Sequence, residues 1–214
     1  MEHSRRTVLA AGVAGVVGVA GCLGDDAPDT PEYDCEGTEP AEPDTDYRPM
    51  IGDPESDVLV EVFEDFTCDG CATFKADVFP TIAETYIETE EIRYEHWDFP
   101  IPVNEEWAVP VASAARGVGA REGDAAFFSF AETIYEFIGN YSEDAIGFAA
   151  EEAGADPCAA IADAENRTYA TPIGDDRAEG EARGLSATPT VYVNGDEVDP
   201  TAEAISTAVD EVLS

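Results

Sequence analysis

The chain has 214 residues, which suits one domain carrying an insertion and an extended tail. Its 48 Asp and Glu residues against 10 Lys and Arg give a formal net charge of −38, which repels nucleic acid and argues against DNA or RNA binding. Because the acidic residues are interleaved with periodic apolar residues along most of the chain, the sequence predicts a folded protein rather than a disordered one.

The first 21 residues have the pattern of an export signal. Arg5 and Arg6 precede an apolar run at 8–20, and the segment resembles a twin-arginine signal. The run is 13 residues long, whereas a helix that spans a bilayer needs about 20. An uncleaved membrane anchor is the alternative interpretation.

The signal ends in Val19-Ala-Gly-Cys22, which resembles a lipobox. The resemblance implies cleavage before Cys22 and attachment of a lipid to its sulfur, so that the protein is exported and anchored to the outer face of the cytoplasmic membrane. A plain secretory signal is the alternative. Residues 22–50 are rich in Pro, Asp, Glu and Thr, a composition that predicts a disordered, acidic linker between the lipid and the domain.

Strand and helix alternate at the start of the predicted domain, which spans 51–214. An apolar strand at 58–63 leads into a helix that begins at Cys68, and Pro80 is expected to kink this helix. A second strand follows at 92–97. A helical insertion at about 104–170 comes next, and we interpret its regularly spaced aromatic residues as core packing.

The last part of the chain returns to mixed structure. Gly184 is expected to end a helix, and Asn194-Gly195 forms the turn of a hairpin over 185–198. This order of elements is the thioredoxin arrangement, split by the helical block. The helices predicted after the second strand are 108–120, 125–137, 142–153, one after Pro157, 171–183 and 201–213.

Two cysteines at the junction of the first strand and its helix carry the chemistry. Cys68 and Cys71 are separated by two residues, a spacing that permits a small disulfide ring. Unpaired backbone N–H groups at a helix N-terminus favour a thiolate, so Cys68 is predicted to be the nucleophile. Cys71, one turn further on, is predicted to be the buried resolving thiol.

The chain resembles the DsbA-like thioredoxin-fold oxidoreductases in four motifs, which lie in that family's order over 57–214. The resemblance implies that Pro189 is cis and faces the disulfide, and that Thr188 hydrogen-bonds an extended substrate. An ordinary trans proline in an edge strand is the alternative. The four motifs are Phe63-Glu-Asp-Phe-Thr-Cys-Asp-Gly-Cys71, Pro80, Trp97-Asp-Phe-Pro100 and Ala187-Thr-Pro-Thr-Val-Tyr-Val-Asn-Gly195.

Two departures from that family affect the expected chemistry. Asp69-Gly70 replaces the family's Pro-His, and since Asp69 repels a nearby thiolate, we expect the pKa of Cys68 to be near the upper end of the range from about 3.5 to about 7. The position of the family's buried acid is occupied by Val62. Glu61 and Glu64 are candidates to replace it as proton acceptor for Cys71, although the residues by themselves favour solvated acids at a strand end.

The other cysteines and the histidine have separate interpretations. Cys35 and Cys158 either form a structural disulfide or remain unpaired or intermolecular thiols. A zinc site needs two ligands beyond Cys68 and Cys71, but His96 is the only imidazole near them and the chain has no second CxxC. His96 is therefore interpreted as a packing or surface residue rather than a ligand. We therefore predict no metal and no cofactor other than the redox-active disulfide.

The composition also resembles that of proteins from extremely halophilic archaea, in which molar salt shortens the Debye length to about 3 Å. The favoured function is a disulfide oxidase acting on cysteine-containing exported proteins, with a quinone-linked membrane protein as redox partner. One alternative is an extracytoplasmic reductase or isomerase. The other is a non-enzymatic lipoprotein that binds a partner and keeps Cys68–Cys71 as a structural disulfide.

Overall fold

The centre of the structure is a five-stranded sheet with the order β1-β3-β2-β4-β5. The computed structural model describes residues 28–101 and 103–214, so the twin-arginine segment and Cys22 lie outside the described residues. Strands β2 and β3 are parallel, and the other neighbouring pairs are antiparallel. The strands are β1 Met50–Gly52, β2 Leu59–Glu64, β3 Arg93–Asp98, β4 Thr190–Val193 and β5 Asp196–Val198.

The predicted helices are confirmed, with ends shifted by one or two residues. The first, α1, covers residues 69–87 in four consecutive pieces, of which the second and fourth are π-helical. The π-turn at Phe74–Val78 ends just before Pro80, the residue predicted to distort the helix. In the described ranges, no helix is long and apolar enough to cross a membrane. The others are α2 Ala108–Glu122, α3 Asp124–Tyr135, α4 Glu143–Glu152, α5 Pro157–Asn166, α6 Ala170–Arg183 and α7 Ala202–Leu213.

Local signals in the sequence account for several of these ends. Ser142 caps α4 by accepting a hydrogen bond from the backbone of Ala145 at 3.0 Å. Gly184 ends α6 in the left-handed conformation, with φ of +88°. Asn194 and Gly195 both have positive φ, as a tight hairpin turn requires. Strand β1 was not predicted, because three residues carry too little periodicity to be detected.

The parallel register of β2 and β3 separates their side chains into two faces. Val62 pairs with His96 and Glu64 pairs with Asp98, so these four side chains lie on one face. Rings of α1 and α3 cover this face; Phe79 and Phe128, for instance, lie 5.3 and 5.9 Å from the ring of Tyr94. The opposite face carries a smaller cluster formed by Phe63, Phe99 and Tyr192.

The segment at 28–49 contains no helix or strand, yet it is fixed to the domain. The hydroxyl of Tyr33 donates to Glu151 of α4 at 2.6 Å, and that of Tyr47 donates to Asp124 of α3 at 2.9 Å. Arg48 makes a bidentate ion pair with Asp176, both contacts at 2.7 Å. Because two tyrosines and an arginine attach it to the helices, this stretch is not the fully solvated linker that its composition predicted.

Candidate active site

The two cysteines of the CxxC motif lie where β2 leads into α1. Cys68 is the N-cap residue, with extended backbone angles, and α1 begins at Asp69. Cys68 is half-buried, Cys71 is fully buried with 0% exposure, and both are free thiols. The arrangement presents one sulfur to an incoming thiol and keeps the other inside the protein.

The environment of Cys68 favours its thiolate. The largest effect on the pKa of Cys68 is a hydrogen bond from the Cys71 thiol, which lowers this pKa and outweighs the opposing effect of burial. Further hydrogen bonds from Thr188 and from the backbone N–H groups of Gly70 and Cys71 act in the same direction. Together they lower the pKa of Cys68 to about 5. This value lies below the upper end expected from the sequence. Asp69 does not prevent the shift because its side chain is exposed to solvent, which screens its charge.

Cys71 has the opposite environment. Burial raises the pKa of the Cys71 thiol well above its ordinary value, and the hydrogen bond to Cys68 and the charge of Glu64 act in the same direction. The backbone N–H of Asp65 donates a hydrogen bond to its sulfur at 3.5 Å. Cys71 is therefore held as a thiol while Cys68 ionises, which is the division of roles that the sequence predicted.

A cis peptide bond joins Thr188 to Pro189 beside the cysteines. The Sγ of Cys68 lies 3.4 Å from the carbonyl oxygen of Thr188. A Cβ placed on Gly70 would lie only 3.3 Å from Cδ of Pro189 and 3.6 Å from the Cys68 sulfur. Because glycine has no side chain, the loop that contains Pro189 can lie close to the start of α1. In the described part of the chain, Oγ1 of Thr188 is buried and makes no hydrogen bond to any group other than the Cys68 sulfur, so it can donate to the thiolate.

Asp65 fixes the loop between β2 and Cys68, a role that the sequence analysis missed. One of its carboxylate oxygens accepts hydrogen bonds from the backbone and hydroxyl of Thr67 at 2.7 and 2.8 Å. The other accepts from the backbone N–H of Ile101 at 2.8 Å. The pattern Asp-x-Thr before the first cysteine is the local signal of this turn.

The two glutamates considered as proton acceptors for Cys71 are both buried, so the expectation of solvated acids is wrong. Glu61 lies on the face opposite to Val62, as the alternation of side chains along a strand requires, and it accepts two hydrogen bonds from Arg183 at 3.0 and 3.1 Å. Glu64 lies on the same face as Val62 and is only 2% exposed. The alternation of β2 therefore places Glu64, and not Glu61, on the side of Cys71.

His96 is not the packing or surface residue that the sequence suggested. It is 1% exposed and lies between two carboxylates, with Nδ1 3.1 Å from Glu64 and Nε2 3.1 Å from Asp98. Arg116 and Asp176 extend this buried network. The sequence placed His96 on a strand, but only the sheet register shows that an acid of the neighbouring strand faces it.

The remaining predicted residues lie away from the CxxC motif. A disulfide joins Cys35 to Cys158 and so ties the segment at 28–49 to α5. Residues 28–101 and 103–214 contain no group of three or more His, Cys, Asp or Glu side chains arranged to hold a metal ion. The expectation that the protein uses no cofactor beyond its own disulfide stays a prediction.

Comparison with known proteins assigns the chain to a family. The Thioredoxin family model (Thioredoxin_4) matches residues 44–211, which is most of the chain, and the protein belongs to this family. Disulfide bond formation protein D of Bacillus subtilis strain 168 is 22% identical over 153 residues, which cover 69% of this chain and 68% of that protein.

Solved structures share the fold at similar identity. BdbD from Bacillus subtilis, in its oxidised form, has a TM-score of 0.70 with 21% identity and covers 82% of this chain and 97% of its own. DsbA from Chlamydia trachomatis has a TM-score of 0.69 with 20% identity, covering 78% and 92%. MdbA from Actinomyces oris, a thiol–disulfide oxidoreductase, has a TM-score of 0.66 with 19% identity, covering 80% and 91%.

The fold, the family and the geometry of the cysteines define the class of protein. It is a member of the thioredoxin family with a DsbA-like fold, in which the helical insertion lies between β3 and α6 and a CxxC pair lies at the start of α1.

Proposed function

We propose that this protein is a disulfide oxidase of exported proteins, held at the outer face of the membrane by a lipid on Cys22. The observation that carries the proposal is the position of the Cys68 sulfur. It is half-buried, lies beside the cis-proline loop and has a pKa lowered to about 5 by the hydrogen bond from Cys71.

The proposed cycle begins with the Cys68–Cys71 disulfide. A substrate thiolate attacks Sγ of Cys68, a mixed disulfide forms, and Cys71 leaves as a thiolate that takes up a proton. A second substrate thiolate then attacks the substrate sulfur of the mixed disulfide and expels Cys68. The substrate loses two electrons and gains a disulfide, while the protein is left with a Cys68 thiolate and a Cys71 thiol.

Stabilisation of the Cys68 thiolate favours this direction. A low pKa stabilises the reduced protein and makes Cys68 a good leaving group, so electrons pass from the substrate to the protein. The cis-proline loop supports the same role, because the backbone carbonyl of Thr188 is next to the sulfur that would carry the substrate. Re-oxidation needs a partner, for which we propose a quinone-linked membrane protein that the lipid anchor would keep nearby.

The interpretation as a non-enzymatic binding protein is disfavoured by the same geometry. A purely structural disulfide would gain nothing from an accessible sulfur with a lowered pKa, and such shifts are concentrated at functional sites. Cys68 therefore ought to react with an alkylating reagent at neutral pH, whereas Cys71 ought to be protected.

A trapping experiment tests the proposal. In the Cys71→Ala variant the Cys68 thiolate can still attack a disulfide of an exported protein, which is the reverse of the second step and expels one thiolate of that protein. Because Cys71 is absent and cannot attack Cys68 to release the adduct, exported proteins joined to Cys68 should accumulate in cells and separate after reduction. The matched control is Cys68→Ala, which should trap nothing. Absence of adducts in the Cys71→Ala variant, or a reduction potential as low as the roughly −270 mV of thioredoxin, would contradict an oxidase role.

A further inference from the structure

A buried network of charged groups lies at the end of β2 and β3, on the Cys71 side of the sheet. His96 is at its centre, with Nδ1 3.1 Å from Oε2 of Glu64 and Nε2 3.1 Å from Oδ1 of Asp98. Glu64, His96 and Asp98 are each no more than 2% exposed. The other oxygen of Asp98 accepts a hydrogen bond from Arg116 at 2.5 Å. None of these groups forms or breaks a bond to sulfur in the proposed cycle.

The hydrogen-bond pattern favours a positive charge on His96. A neutral imidazole has one N–H and one lone pair, so it can donate to only one of the two carboxylates. An imidazolium donates to both. Asp98 also pairs with Arg116, and Arg116 pairs in turn with Asp176, whose second partner is Arg48, so the three acids of the network face three cationic groups. Burial lowers the pKa of His96, but the hydrogen bonds to Asp98 and Glu64 outweigh it and raise the pKa. Two uncharged rings pack on the imidazole, with centroids at 5.5 Å for Phe66 and 5.0 Å for Phe127.

The contact with His96 leaves one oxygen of Glu64 free. Oε2 is used by the imidazolium, whereas Oε1 is buried and has no hydrogen-bond partner among the described residues. Buried oxygens are rarely left in this way without a function. The charge of Glu64 acts on Cys71, whose sulfur contacts the backbone N–H of Asp65, the next residue in the chain.

Three further titratable side chains face Glu64 from the surrounding elements. Lys75 of α1 is buried, with Nζ 3.6 Å above the ring of Phe79, and burial lowers the pKa of this lysine to about 8 although the charge of Glu64 opposes the shift. Tyr94 of β3 and Tyr135 of α3 have buried hydroxyl groups, and within the described ranges neither makes a hydrogen bond. Their pKa values are raised far above the ordinary value by burial, so both stay neutral.

We propose that His96 is a positioning residue for proton transfer at Cys71, acting through Glu64. This inference rests on the proposed redox function. The imidazolium keeps its proton throughout and holds Oε2, so that Oε1 is the oxygen that exchanges a proton with the Cys71 sulfur. When the disulfide is reduced, the Cys71 thiolate takes up a proton that reaches it by way of Oε1. When the disulfide is formed again, Oε1 takes this proton back.

A single-turnover reaction with glutathione disulfide separates the two cysteines. The Cys68 thiolate first forms a mixed disulfide with glutathione, and Cys71 then loses its proton, attacks Cys68 and expels glutathione as a thiolate. His96→Gln should slow this second step roughly 10-fold and should change the rate of the first step by less than about 2-fold. The expected slowing is smaller than the roughly 100-fold or greater loss of rate that follows removal of a general base, because His96 acts only through Glu64. Glu64→Gln should also slow the second step, and the double variant should be no slower than Glu64→Gln.

Two controls distinguish positioning from a structural effect. Phe127→Leu loosens the packing on the His96 ring without removing a charge, so it should lower stability and leave the ratio of the two rates unchanged. In the full chain carrying His3→Gln, His96 is the single histidine, and its ¹⁵N spectrum should show both ring nitrogens protonated at pH 7. This spectrum needs no substitution in the network and remains informative if His96→Gln does not fold.

The outcomes separate this inference from the proposed function. A neutral imidazole at pH 7, or a second step equally fast in the parent chain and in His96→Gln, would overturn the assignment of His96 while leaving the oxidase role intact. If the parent chain forms no mixed disulfide at Cys68, the proposed function fails, and the inference that rests on it fails with it. Slowing of the second step alone, with a doubly protonated ring, is the expected result.

Discussion

The sulfur of Cys68 lies 3.4 Å from the carbonyl oxygen of Thr188, although 120 residues separate the two in sequence. The cis bond that follows Thr188 brings this loop over the start of α1. A proline at 189 offers no backbone N–H, so the hydrogen bonds available to an incoming chain come from its neighbours. The contact therefore combines a nucleophile with a surface that can bind an extended peptide.

The first prediction concerns the ionisation of Cys68. Titration of the reduced protein, followed by thiolate absorbance, should show a midpoint near pH 5, because the hydrogen bond from Cys71 favours the charged form of Cys68. The Cys68→Ser variant should lose this transition, and Cys71 should stay protonated throughout it, because burial raises the pKa of its thiol. A midpoint near pH 7 would show that Asp69 repels the thiolate more strongly than its exposure suggests.

A second prediction follows for the stability of the reduced protein. The pKa of Cys68 is lowered from 9.0 to about 5 on folding, so the thiolate contributes stability that is fully present above pH 9 and is lost as the pH falls through about 5. The free energy of unfolding of the reduced protein, measured relative to the oxidised protein, should decrease over this window. In Cys68→Ser the dependence should disappear; its persistence there would assign the effect to another group.

A third prediction separates the two buried glutamates. Glu61→Gln removes the charge that pairs with Arg183 on the face opposite to Cys71, and it should lower the free energy of unfolding by about 1–3 kcal/mol. Its exchange kinetics should remain those of the parent chain. Glu64→Gln should slow the step that uses Cys71. Similar kinetics in both variants would mean that the face of the strand does not decide which acid serves Cys71.

A fourth prediction concerns the disulfide between Cys35 and Cys158, which links residues 123 positions apart. Cys158→Ser should lower the free energy of unfolding by about 2–4 kcal/mol, because the unfolded chain is no longer constrained by the closed loop. The double variant with Cys35→Ser should be equally stable, since both remove the same bond. The pKa of Cys68 should not change; a shift would indicate that this disulfide influences the redox site.

A fifth prediction tests the attachment of the segment at 28–49. A Cβ on Gly119 would lie 2.2 Å from the hydroxyl oxygen of Tyr47, so Gly119→Ala should destabilise the protein by about 1–3 kcal/mol. In a Tyr47→Ala background the same change should become stabilising, because alanine favours a helix by about 1 kcal/mol over glycine. Gly174→Ala in α6, where the space is open, is the matched control and should stabilise both backgrounds. Denaturant unfolding measures all three.

Local signals in the sequence determined the order of the elements and the reactive pair. The ends of two helices are determined by Ser142 and Gly184, and the hairpin turn is determined by Asn194-Gly195. Each acts through hydrogen bonds or backbone angles that involve only a few neighbouring residues. The CxxC spacing at the start of a helix likewise identified Cys68 and Cys71 without tertiary information. These features depend on interactions within one or two turns, which is why they could be read from the sequence.

Tertiary structure decided the surroundings of the two sulfurs. The parallel register of β2 and β3 brings Glu64 against His96, and the helical insertion buries them with aromatic rings. Hydrogen bonds in the folded protein outweigh the effect of burial, so they favour the charged form of His96 and lower the pKa of Cys68. The adjacent Asp69 has little effect on the pKa of Cys68 because its side chain faces solvent. Electrostatic interactions depend on distance and solvent exposure in the folded protein, and a linear sequence contains neither quantity.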